Sequence, residues 1–186
     1  MRRIALALVV VSFSGLTITG TARAQATAGT PASAPTTDPM SKEVQANYNR
    51  VKGYILKSAD QMPAENYPFK PTPDIRTFAR VLNHVTEAQS HVCGAVNGAK
   101  PNDPPAPPET ADKTAIVAAL NASFAECDKA YAALTDANMT EMIQAGPVKR
   151  SRLGLLWGNA SHDNEQYATL ALYMRLKGLT PPSSEK

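Results

Sequence analysis

Three histidines are the side chains best suited to chemistry in this sequence, and their surroundings decide what two of them can do. His84 stands among Val81, Val85 and Ala88, and His162 stands between Asn159 and Gln166, each on the inward side of a helical repeat. A single histidine on an apolar face is ordinarily a hydrogen-bonded core residue. Two on facing helices can hold a metal ion, because bundles build such sites from side chains that project inward from different helices. A divalent ion held there would lower the pKa of a bound water or thiol, the chemistry of metal-assisted hydrolysis and thiol activation. The sequence offers no glycine-rich phosphate loop, and no serine or cysteine reads as a nucleophile set beside a base.

Four segments carry the apolar period that would position these residues. The first spans about Asp38 to Asp60, with Val44, Tyr48, Val51 and Ile55 on one stripe. The second opens with Thr72 as cap, Pro73 at the first helical position and Asp74 in the first turn. Its stripe is Ile75, Phe78, Val81, Leu82, Val85, Ala88 and Val92, and it stops near Asn97-Gly98. The third runs from about Ala111 to Leu134 through Ile116, Leu120, Phe124, Cys127 and Tyr131. The fourth runs from about Ser151 to Lys177, with Leu155, Leu156, Asn159, His162, Gln166, Leu170, Tyr173 and Leu176 along one side and Gly178 as its cap. Asp163, Asn164 and Glu165 read as its polar face, and Trp157 as a packing residue or part of the bundle mouth. No strand pattern appears. Four helices of similar length predict an all-α four-helix bundle.

The connector between the second and third helices bears on their direction. Residues 99–109 contain five prolines and cannot be helix. A linker of about 13 residues reaches about 43 Å, enough to cross a helix of about 36 Å. The two helices can therefore run parallel, which a hairpin connection would not require. Cys93 and Cys127, the only cysteines, fit that path. In parallel helices their heights differ by about 6 Å, against about 18 Å in a hairpin. A disulfide between them would close a loop worth about 4 kcal/mol in the chain-entropy model; two separate buried thiols are the alternative.

The stretches Leu82-Asn83-His84-Val85-Thr86-Glu87-Ala88-Gln89 and His162-Asp163-Asn164-Glu165-Gln166-Tyr167, followed by Leu172 to Leu179 and Pro181-Pro182-Ser183-Ser184, resemble the DinB family, as does Asn66 to Pro73. The likeness covers most of residues 40–184. It implies an up-down-down-up bundle and a metal site of three histidines, one on the second helix and a His-x-x-x-His pair on the fourth; some members transfer low-molecular-weight thiols or isomerise their adducts. Carried onto this chain, the ligands are His84, His162 and, in place of the third histidine, Gln166. An amide oxygen is a weak, hard ligand for zinc, nickel or iron, so the resemblance implies a reduced site of low occupancy. Glu87, one turn from His84, is a further candidate ligand, a solvated surface acid, or a partner that fixes the His84 tautomer. His91 lies about 10 Å along the axis from His84, too far to share one ion, and reads as a surface or packing residue.

Composition places the bundle. Arg2-Arg3, an apolar run from Ile4 to about Ile18 and Ala22-Arg23-Ala24 make residues 1–24 a cleavable signal peptide, with periplasmic or secreted destination. The run is short and broken for a transmembrane anchor, and no later segment is long enough to span, so no stable membrane insertion is expected after cleavage. Residues 25–38 are an Ala/Thr/Pro-rich lead, and residues 39–184 are the bundle. The chain carries 19 Lys and Arg against 16 Asp and Glu. Arg2, Arg3 and Arg23 leave with the signal and no acid does, so the net charge of +3 falls to 0. A basic stripe for nucleic acid is thus missing, and a small molecule is the expected partner of a monomer or homodimer. Asn121, Asn138 and Asn159 each begin an Asn-x-Ser/Thr triplet, relevant only where the host glycosylates exported proteins.

Overall fold

The computed structural model describes residues 37–99 and 105–186. The expected signal peptide and nearly all of the lead, and the middle of the proline-rich connector, lie outside the described residues. Four helices form: α1 (Pro39–Gln61), α2 (Phe78–Asn97), α3 (Lys113–Ala132) and α4 (Arg152–Leu176). None of the described helices is long and apolar enough to cross a membrane. The expected stripes form the core. Val44, Tyr48, Val51 and Ile55 of α1 are buried, as are Ile116, Leu120, Phe124, Cys127, Tyr131 and Leu134 on and just after α3.

Cross-helix pairings give the chain path. Between α2 and α3, Gln89 meets Ser123 and Cys93 meets Cys127, so residue numbers rise together and the helices are parallel. Helix α4 runs against α2, with Asp163 beside Gln89 and Asn159 beside Cys93. Helix α1 runs against α3, with Gln45 reaching the Leu134 carbonyl and Lys52 reaching Asp128. The path is therefore up-down-down-up. The cysteines form a disulfide, buried between the two parallel helices.

Three expectations are corrected. Helix α2 starts five residues later than the Thr72-Pro73-Asp74 signal implied: Thr77 is the cap, its Oγ1 accepting the Arg80 N–H at 3.0 Å. Both threonines have cap chemistry. The choice falls to Thr77 because the Phe78 and Ala79 N–H groups, which a helix leaves without internal acceptors, donate to the carbonyls of Phe69 and Tyr67 at 2.9 Å. Ile75 is consequently exposed instead of being part of the stripe, and Leu176, the last residue of α4, is exposed too.

The expected absence of strands is also overturned. Met142–Ala145 (β1) and Val148–Ser151 (β2) pair antiparallel, with Met142 opposite Ser151 and Ala145 opposite Val148. The two-residue turn is Gly146-Pro147, and Gly146 has φ 59, a conformation that suits glycine. Ser151, the last residue of β2, caps α4 by accepting the Gly154 N–H. Finally, Asp163 is fully buried and does not belong to a polar face. Asn159 is 2% exposed, so its Asn-x-Ser triplet is unavailable to a glycosylating enzyme in the folded chain.

Helix α1 is capped from a distance. Asp136, in the loop after α3, accepts the N–H groups of Ser41 (2.8 Å) and Met40 (3.3 Å). Asp38 in turn accepts the Asp136 N–H at 3.0 Å. These bonds to the charged form hold the Asp136 carboxyl below the usual range, the Ser41 amide first among them.

Candidate metal centre

His84 comes from the middle of α2 and His162 from the middle of α4. The antiparallel packing of these helices brings their Nε2 atoms to 3.1 Å, with ring planes at 74°. Each side chain is about a quarter exposed, at 28% and 25%. Their outer nitrogens face carboxylates. His84 Nδ1 lies 3.8 Å from Glu87 Oε2, and His162 Nδ1 lies 3.8 Å from Asp163 Oδ1.

Glu87 is held in place by a bidentate pair with Arg80, at 3.0 and 2.9 Å. This geometry puts it on the Nδ1 side of His84, away from the converging Nε2 atoms. Burial lowers the His84 pKa from its ordinary value, and Arg76, His162 and Arg80 lower it further against the opposing pull of Glu87. A neutral imidazole is the form that donates to a metal.

Asp163 is the residue sequence reasoning missed. It is 0% exposed. Its Oδ2 accepts Gln89 Nε2 at 3.2 Å, and Ser123 Oγ lies 2.7 Å from Gln89 Oε1. Burial raises its pKa, while the neighbouring His162 and the hydrogen bond from Gln89 work the other way. A signal was present in the spacing. Leu156, Asn159, Asp163, Tyr167 and Leu170 step by three and four, and all are buried.

The remaining candidates are placed differently. Gln166, one turn past His162, is half-buried and opens on a cleft of about 340 Å³ with Arg76, Val81 and Tyr173. No hydrogen bond joins it to either histidine among the described residues. His91 packs at the hairpin, where a side chain at Gly146 would come within 3.3 Å of its ring. Trp157 is 56% exposed and lines a shallow apolar groove with Met40, Val44 and Leu153. Among the described residues no group of three or more His, Cys, Asp or Glu is placed to hold a metal ion.

The donor set fits a divalent transition ion in part. Two ligands about 2.05 Å from a tetrahedral ion stand about 3.3 Å apart, close to the observed 3.1 Å. A third anionic or imidazole ligand is missing from the described residues, and Gln166 stands one turn past His162 on α4.

A four-helix bundle with an up-down-down-up path and a facing histidine pair is thus the class of protein the structure defines. The model of the DinB superfamily matches residues 21–170, and the chain belongs to that superfamily. Similar solved structures include a DinB-like protein from Bacillus cereus ATCC 10987, at TM-score 0.62 and 18% identity over 76% of this chain and 95% of that one. A conserved protein from Enterococcus faecalis follows at TM-score 0.59 and 16% identity, over 74% and 96% of the two chains. A DinB-like protein from Bacillus subtilis gives 0.58 and 15%, over 74% and 93%. At these identities the likeness concerns the fold. No curated protein matches the chain.

Proposed function

We propose that this is an exported DinB-like protein whose His84–His162 pair binds a divalent transition metal weakly, with Gln166 beside it, and that the site receives a small molecule. The observation that carries the reading is the facing of the two Nε2 atoms at 3.1 Å while both Nδ1 atoms look toward carboxylates. If each Nδ1 carries the ring proton, each Nε2 presents a lone pair. Two lone pairs at that separation repel unless a cation lies between them.

A bound ion would supply Lewis acidity and a water or thiol of lowered pKa. The residues of the chain do the rest. Burial and the neighbouring guanidinium groups keep His84 neutral and ready to donate. Arg76 and Glu165 both line the cleft that Gln166 opens on, and Arg76 offers a guanidinium to an anionic group on a ligand there. The missing third imidazole argues against a full hydrolase or thiol transferase. The absence of a cytosolic thiol pool in an exported setting points the same way.

The test is titration of tag-free protein, lacking residues 1–24, with zinc and nickel by calorimetry. One saturable site is expected, lost on desalting and lost in His84→Ala and in His162→Ala. No saturable uptake at millimolar metal would defeat the reading, as would uptake that survives both substitutions.

A further inference from the structure

The geometry points to Asp163 as a positioning residue: its buried carboxylate accepts the His162 Nδ1 proton and so aims the lone pair of Nε2 at His84. The inference concerns the same site as the proposed metal reading, but the tautomer it specifies does not require the metal.

Two observations meet here. Asp163 Oδ1 and His162 Nδ1 are both buried, and neither has a hydrogen-bond partner within ordinary range. They lie 3.8 Å from each other. An unpaired buried polar atom is costly, and two that face each other are satisfied by one bond after a shift of under about 1 Å.

The other side of Asp163 is already fixed. Its Oδ2 is held by Gln89 from α2, and Gln89 is held by Ser123 from α3. The carboxylate is therefore oriented by three helices, with one oxygen left for the imidazole. Ser123 has a single proton and two acceptors in reach, Gln89 Oε1 at 2.7 Å and the Leu120 carbonyl at 2.8 Å. If the proton goes to Leu120, the Gln89 amide turns over to donate to Ser123 Oγ, and Asp163 gives a proton from Oδ2 to Gln89 Oε1. In both arrangements Oδ1 remains an acceptor toward His162. Carboxylates in this relation to a ligating histidine fix its tautomer and raise its basicity.

The deciding measurement is long-range ¹⁵N–¹H correlation on the histidine rings of the metal-free protein. His162 is expected to carry its proton on Nδ1 with Nε2 bare; a proton on Nε2 with Nδ1 bare would overturn the inference. Asp163→Leu removes the acceptor at similar volume. It should scramble the His162 tautomer and weaken metal binding 10- to 100-fold in a protein that still folds. Asp163→Asn keeps an acceptor oxygen, and the Gln89 amide can turn to suit it, so this variant should retain most of both properties. A folded Asp163→Leu protein with unchanged tautomer and affinity would also overturn it. Wild-type protein that shows the Nδ1 proton but takes up no metal would leave the positioning role intact and defeat the metal reading alone.

Discussion

Two residue pairs tie α2 to its neighbours, and they are opposites. Cys93–Cys127 joins α2 to α3 covalently and is 0% exposed. Asn159 reaches its sulfurs at 3.6 and 3.7 Å, and Tyr131, which stacks on Tyr48 at 3.7 Å between centroids, reaches the same amide at 3.1 Å. His84–His162 joins α2 to α4 without a covalent bond, is about a quarter exposed, and has His162 Nδ1 and Asp163 Oδ1 buried without partners, where the disulfide level has the Asn159 Nδ2 alone. The first pair lies about 13 Å further along α2 than the second. The difference sets a cross-linked, packed level beside an open, polar one. One level is locked by packing and a cross-link, and the level above keeps polar groups in an arrangement that packing alone would not favour.

This contrast can be broken from the closed side. Replacing both cysteines by alanine should lower the stability of the bundle by about 4 kcal/mol, the entropy of closing a loop of 34 residues. Denaturant unfolding of the variant beside the oxidised protein would check it, and a loss under about 1 kcal/mol would show that packing alone holds α2 to α3. The open side is sharpened by Gln166→His. An added imidazole on the His162 face should raise zinc affinity at least tenfold, about 1.4 kcal/mol, with little change in unfolding midpoint. No gain in a competition titration would show that position 166 does not converge on the pair.

A smaller effect is expected from Tyr131→Phe. Its hydroxyl donates to the Leu156 carbonyl at 2.6 Å, and losing that bond should cost about 1 kcal/mol. The same variant tests a pH effect. Burial raises the Tyr131 pKa above its ordinary value of about 10. The folded state therefore keeps a proton that the unfolded chain gives up, so stability holds below about pH 10 and falls as pH rises beyond it. Tyr131→Phe should flatten that alkaline limb; an unchanged limb would mean that other groups set it.

Much of this was legible in the sequence. Every stripe residue named on α1 and α3 is buried, because aliphatic and aromatic side chains at helical spacing have few other places to go; the small residues Ser41, Ser58, Ala59, Ser123 and Ala130 complete those faces. The parallel path of α2 and α3 was legible from a stiff connector and two cysteine heights. The hairpin was not, because its strands are four residues long and mostly exposed, with Met142 and Val148 outward. Main-chain pairing and a Gly-Pro turn hold it, and neither leaves an alternating pattern. The histidine pair was foreseen from its two inward faces. Asp163 was not, because a carboxylate is assigned to the surface by default; only its position between Asn159 and Tyr167 on the stripe argued otherwise.

The exchange of caps between Asp38 and Asp136 has a consequence for how the chain is made. The first turn of α1 takes acceptors from a residue synthesised almost a hundred positions later. During synthesis α1 therefore emerges with its leading amides bare, and they find these partners only once the end of α3 has left the ribosome. A truncated chain ending before residue 136 would carry a first helix with an unfinished start.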